Sequence, residues 1–149
     1  MRAFKTIVLS LPLAALALSA TAYAGPPIHV TFENQGSVDV VYTISSRNEV
    51  GTQVNASPKP SVNVKGGGSS RYTVQSGVSP DSSYAVVRYQ AGRKSCQFTT
   101  TFVNAMQRSG VKVPTWKKSA VASGGAICSA TITATNYSDY GWSTKFTMK

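Results

Sequence analysis

Along most of the chain hydrophobic and polar residues alternate one by one, the period of a strand with a single buried face. Over residues 28–34, Ile28, Val30 and Phe32 share one side while His29, Thr31 and Glu33 share the other. Residues 38–45 repeat the pattern through Val38, Val40, Tyr42 and Ile44. A Gln35-Gly36-Ser37 loop would join the two runs as a hairpin, with Phe32 opposite Val40, Val30 opposite Tyr42 and Ile28 opposite Ile44. It would also oppose Glu33 to Asp39, a like-charge clash. A bound cation would relieve that clash, and a Greek-key path that leaves the two strands unpaired would remove it.

Residues 46–60 read as loop, punctuated by Asn48, Gly51, Asn55, Pro58 and Pro60. Val62 and Val64 then lead through Lys65, three glycines and two serines into Tyr72 and Val74, which predicts a hairpin with a flexible loop. The phosphate-loop pattern GxxxxGK[ST] is absent. Residues 84–90 are apolar on both faces, as suits a central strand. The turn Ala91-Gly92-Arg93-Lys94 folds them back so that Tyr89 faces Cys96 and Val87 faces Phe98.

The chain closes on a further hairpin. Cys128, Ala130, Ile132 and Ala134 face Trp142, Phe146 and Met148 across the turn-rich residues 136–141. Setting Ala134 opposite Trp142, Ala130 opposite Phe146 and Cys128 opposite Met148 places small residues against large ones. With seven or eight strands, no heptads, no long amphipathic helix and no internal repeat, the fold class is all-β. The expected architecture is an antiparallel sandwich, Ig-like or Greek-key.

Residues 103–125 break the pattern. They read as one long loop with a short helix near residues 104–108, followed by Gly110, Pro114 and the Gly124-Gly125 break. Its charges have one sign: Arg108, Lys112, Lys117 and Lys118, with Trp116 among them. No acid occurs between Asp81 and Asp139, an interval that also holds Arg88, Arg93 and Lys94.

Residues 1–24 carry Arg2 and Lys5, an apolar run and the small-x-small signal Ala22-Tyr23-Ala24, the pattern of a secretory signal peptide cleaved after Ala24. One domain, residues 25–149, would remain. Removing Arg2 and Lys5 from the 15 basic residues leaves 13 against 5 acidic ones, a formal +8. That balance favours anionic partners. Export, to periplasm or outside the cell, also makes one disulfide the simplest use of the two cysteines, Cys96 and Cys128, both on the apolar side of their runs.

Catalysis is disfavoured. The single histidine, His29, sits on a polar face, paired cysteines offer no nucleophile, and the five acids are dispersed. No metal or other cofactor motif stands out, and the tripeptides at Asn55 and Asn136 are discounted as chance glycosylation matches. The candidate ligand-binding residues are Arg93, Lys94, Arg108, Lys112, Trp116, Lys117, Lys118, Tyr137 and Tyr140. Together they suggest a non-enzymatic binding protein for an anionic surface, a polysaccharide or an acidic protein, with peripheral membrane contact a further candidate. Nucleic acid is disfavoured, since no recognition helix or RNA-binding motif is present. Two other readings compete: a periplasmic inhibitor or immunity-type protein that blocks a toxin or enzyme, and a membrane-active or pore-forming protein.

Overall fold

The computed structural model describes residues 24–149; the expected signal peptide lies outside the described residues except for Ala24. The chain forms β1 (Ile28–Asn34), β2 (Val40–Thr43), α1 (Arg47–Asn55), β3 (Ala56–Ser57), β4 (Asn63–Val64) and β5 (Ser69–Val74). There follow β6 (Ser82–Ala91), β7 (Lys94–Met106), β8 (Lys112–Ser123), β9 (Cys128–Thr135) and β10 (Trp142–Met148). Two five-stranded sheets result, one in the order β3-β5-β1-β10-β9 and the other β4-β2-β6-β7-β8. Pairing is antiparallel except between β1 and β10, which run parallel.

Most of the inward side chains are those that the alternation marks, but Val38, Ile44, Val62 and Ala134, placed on the buried face by the same pattern, are exposed because they lie at or beyond the ends of the paired strands. Phe32 of the first sheet stacks on Tyr89 of the second with ring centroids 3.5 Å apart, and Phe98 of the second stacks on Phe146 of the first at 4.8 Å. Both sheets therefore share one core, completed by Ile28, Val30, Tyr42, Tyr72, Val74, Val87, Phe102 and Trp142. Fully burying one such side chain contributes about 1.5–3 kcal/mol. Trp142 also needs a partner for its N–H, and donates it to Thr100 Oγ1 at 2.8 Å.

Cys96 and Cys128 are bonded, with Cα atoms 5.7 Å apart. The bridge ties β7 of one sheet to β9 of the other. The β6–β7 register also follows the sequence expectation, with Tyr89 opposite Cys96 and Val87 opposite Phe98.

The expected hairpin of residues 28–45 does not form. β1 lies between β5 and β10 in one sheet while β2 lies between β4 and β6 in the other, so the chain crosses the core between them. The like-charge clash disappears with the pairing, and with it the case for a cation site. Glu33 instead faces Lys145 at 3.0 Å, and Asp39 Oδ1 accepts the Gly66 N–H at 3.2 Å. The run through residues 62–74 likewise crosses between sheets, from β4 to β5, rather than forming a hairpin. Alternation specifies which face of a strand is buried, but not which sheet completes the burial.

Residues 46–60 contain α1, which the loop reading missed. Ser46 caps it by accepting the Glu49 N–H at 3.3 Å while Glu49 accepts the Ser46 N–H at 2.9 Å. This reciprocal box is legible as Ser-x-x-Glu. α1 lies beside β6 where the short β2 has ended, and Thr52 Oγ1 accepts the N–H of Val86 there at 2.8 Å. The helix thus covers a strand edge that would otherwise stand open.

Residues 103–125 are not a loop. They form the distal part of β7, a tight turn and β8, paired in register from Ser95 opposite Ser123 to Met106 opposite Lys112. The expected helix near residues 104–108 is strand and turn. The turn is closed by Gln107 N–H to Val111 O and Gly110 N–H to Gln107 O, each 2.9 Å, with Gly110 at φ 79°. β8 is the outer strand of its sheet, so Pro114 is tolerated and the buried-face pattern is weak.

In the closing hairpin, Ala130 opposes Phe146 and Cys128 opposes Met148 as expected, but Trp142 opposes Thr135 rather than Ala134. A bulge between Ser143 and Thr144 shifts the register by one. No helix among the described residues is long and apolar enough to cross a membrane.

Candidate functional site

Strand direction sorts the connections to two opposite ends of the molecule. At one end β6 passes to β7, β8 passes to β9, β1 leaves for β2, β4 leaves for β5, and β10 finishes. At the other lie the N-terminal segment, the β5–β6 loop, the β7–β8 turn and the β9–β10 turn. The nine residues singled out from the sequence do not come together.

Arg93 lies in the β6–β7 turn and Lys94 opens β7 at the first end, which is the basic pole. Arg108 lies in the β7–β8 turn at the second, with Lys112 beside it at the start of β8. Lys117 points out of the sheet opposite Thr101. Lys118 stretches from β8 to β9 and donates to Ala130 O at 2.6 Å, bridging the two outer strands.

Trp116, Tyr137 and Tyr140 do form a cluster with the core. Trp116 lies 5.3 Å from Phe102 and 5.1 Å from Tyr137 between ring centroids, and its indole N–H donates to Tyr140 O at 3.2 Å. Tyr140 stacks on Phe102 at 5.2 Å. Trp116 and Tyr140 are half-buried and serve mainly to close the core; Tyr137 is exposed.

The acid-free interval is interrupted in space. Asp81 Oδ2 holds the Lys112 ammonium and its Oδ1 accepts from Asn104 Nδ2 at 3.1 Å. Lys112 above all, with Asn104 adding to it, holds the Asp81 carboxyl below the ordinary carboxylate range despite a smaller opposing effect of desolvation. Arg88 is engaged by the fully buried Glu49 at 3.0 Å. Among the described residues no salt bridge holds Arg93, Lys94, Arg108 or Lys117.

The basic pole gains two cations that the sequence did not mark. Lys65 precedes Gly66, whose missing side chain lets it lie against Ser37; a Cβ there would come within 2.5 Å of Ser37 O. Gly124 brings the β8–β9 turn closer still to the β6–β7 turn, since a Cβ would fall 1.8 Å from Arg93 O. Lys149 follows β10 and exchanges backbone hydrogen bonds with Ile127, both 2.8 Å. Between these segments opens a cavity of about 400 Å³. Its walls are apolar Val38, Val40, Ala91 and Met148, and Lys94 and Lys149 line it too. Three of the five acids are in ion pairs and Asp139 lies in the turn at the opposite end, which leaves Asp39 as the acid of this pole.

His29 is exposed on the outer face of the first sheet, with Nδ1 3.1 Å from Thr73 Oγ1. No group of three or more potential metal ligands exists among the described residues. Comparison with protein-family models and with curated proteins finds no match to the chain.

Proposed function

We propose that this is an exported, non-enzymatic binding protein that takes an anionic polymer of the cell envelope at its basic pole. The observation that carries the reading is a cavity lined by Lys94 and Lys149 from separate segments, with Arg93 and Lys65 in neighbouring turns at the same end and Asp39 the acid there outside an ion pair. A lone surface cation contributes little to binding. Several held on one rim meet a polymer's repeated charges together and raise its local concentration. Export is argued from the signal pattern and the disulfide. The accompanying fold reading is a β-sandwich with Greek-key crossings, an architecture that presents its loops at two ends.

The test is retention on an immobilised acidic polysaccharide, read as the salt concentration at elution. Replacing Lys65, Arg93 and Lys94 together by alanine should weaken binding on the order of tenfold at physiological salt, taking roughly 0.5 kcal/mol per exposed contact. The single change Arg108→Ala, at the opposite end, should leave elution unaltered. Equal retention of wild type and triple variant would refute the assignment, and capture of one stoichiometric acidic protein in place of the polymer would favour an inhibitor.

A further inference from the structure

The end of the molecule opposite the basic pole carries a second feature, independent of the first. Three separate connections at this end each expose a large apolar or aromatic side chain. Val78 in the β5–β6 loop is 89% exposed, Met106 and Val111 flanking the β7–β8 turn are 62% and 60% exposed, and Tyr137 in the β9–β10 turn is 70% exposed. Single exposed hydrophobic residues are ordinary, but several gathered at one end of a molecule mark an interaction site.

The three connections are held together from below. Asp81 accepts from Asn104 and pairs with Lys112, fixing the β5–β6 loop to the base of the β7–β8 hairpin. Trp116, through Tyr137 and the Tyr140 carbonyl, fixes that hairpin to the β9–β10 turn. The hairpin also projects: β6 accompanies β7 only as far as Val103, Asn104 gives its N–H to Asp81 O at 2.9 Å, and Ala105–Met106 pair with β8 alone. The tips are thus rigidly mounted and stand clear of the sheets.

We infer that these tips insert together into the interfacial layer of a lipid bilayer. Two properties select this occupant. The β5–β6 and β9–β10 loops are separated by an open recess of about 450 Å³, lined by Pro26, Pro27 and Pro80 together with Asp81 and Asp139, so a rigid partner face would have to fill it and desolvate those carboxylates. A bilayer surface does not, because headgroups and water fill the recess while the apolar tips reach the acyl boundary. The chemistry is also layered. Arg108 lies between Met106 and Val111 at the turn, suited to lipid phosphates, and Tyr137 with Trp116 behind it has the amphipathic character of interfacial aromatic residues. Because apolar insertion dominates, attachment should be far less sensitive to salt than polymer binding at the basic pole.

Flotation of the mature protein with liposomes of phosphatidylcholine containing phosphatidylglycerol tests this directly. Wild type should float with the vesicles at both low and high salt. Val78→Ser and the pair Met106→Ser with Val111→Ser should each lower partitioning roughly tenfold, the effect of withdrawing a buried aliphatic side chain. The Lys65, Arg93 and Lys94 triple alanine variant should float like wild type, which separates this site from the basic pole. The exposed positions substituted should leave the melting temperature in place, and that is measured alongside. Failure of the wild type to float, or equal flotation of the tip variants, would overturn the inference. So would a dimer in sedimentation that the tip variants abolish without any vesicle binding, since the occupant would then be a second copy.

Discussion

Replacing Glu49 by alanine should destabilise the fold by about 3 kcal/mol, from the low end of the cost of breaking a buried ion pair. Glu49 is fully buried, and both its oxygens are occupied: Oε2 by the N–H of Ser46 at 2.9 Å, and Oε1 by Arg88 Nη2 at 3.0 Å, Arg88 Nε at 3.1 Å and Gln97 Nε2 at 3.2 Å. Loss of the helix cap alone costs roughly 1 kcal/mol. Loss of the ion pair costs roughly 3–5 kcal/mol when the remaining charge stays buried. Arg88 retains 23% side-chain exposure, so water reaches its guanidinium and the lower figure applies. The two contributions share one carboxylate and do not add. Against a total stability of roughly 5–15 kcal/mol, such a loss corresponds to a fall in melting temperature of about 10 °C. Urea titration should show a lower midpoint at unchanged slope. Arg88→Met, combined with Glu49→Ala in a double-mutant cycle, should recover part of the loss because no unpaired charge is then left behind. A loss of less than about 1 kcal/mol for Glu49→Ala, or strict additivity in the cycle, would show that the carboxylate does not organise this face.

Reducing the disulfide, or replacing Cys96 and Cys128 by serine, should cost about 4 kcal/mol from the entropy of the 32-residue separation it closes, read from the same urea titration. In alkali the core tyrosines govern. Burial, with a smaller effect of Glu49, pushes Tyr42 up to about 12, and burial likewise raises Tyr72 and Tyr89. Their folded-state pKa values exceed the unfolded value near 10, so their contribution is complete below pH 10 and is lost as pH rises towards 12 and beyond; tyrosinate absorbance at those sites should appear together with loss of near-ultraviolet dichroism. Asp81 works in the opposite sense. Its lowered pKa gives a contribution present above the unfolded value near 3.8 that disappears as pH falls through the folded value, so the exchange protection factors of the Asn104 and Lys112 amides, referred to the intrinsic rate at each pH, should fall in acid, and Asp81→Asn should remove that acid dependence.

The strand faces were legible because alternation reports burial directly. Ile28, Val30, Phe32, Trp142, Phe146 and Met148 are all inside, as are Tyr89, Cys96 and Phe98 in the register that their turn implied. The disulfide followed from composition and parity. The Ser46-x-x-Glu49 box was present in the sequence, yet α1 was passed over among the turn residues around it. β8 was hidden for a physical reason: an outer strand buries little on either face, so Lys117, Lys118 and Pro114 read as loop residues although they sit in a continuous ladder.

The candidate site is where sequence order misled most. One run of positive charge along the chain is divided by the tertiary structure between opposite ends, because each antiparallel reversal carries the next residues the length of a sheet away. Lys94 joins Lys149, remote in sequence, at one cavity, with Arg93 and Lys65 at the same end, while Lys112 meets Asp81 and Arg88 meets Glu49. The hairpin tips Val78, Met106, Val111 and Tyr137 were likewise unremarkable until three loops placed them at one end. A one-dimensional pattern encodes what each strand buries and what it exposes; strand order and sheet crossings set which exposed groups become neighbours, because contacts between sheets depend on the whole path of the chain.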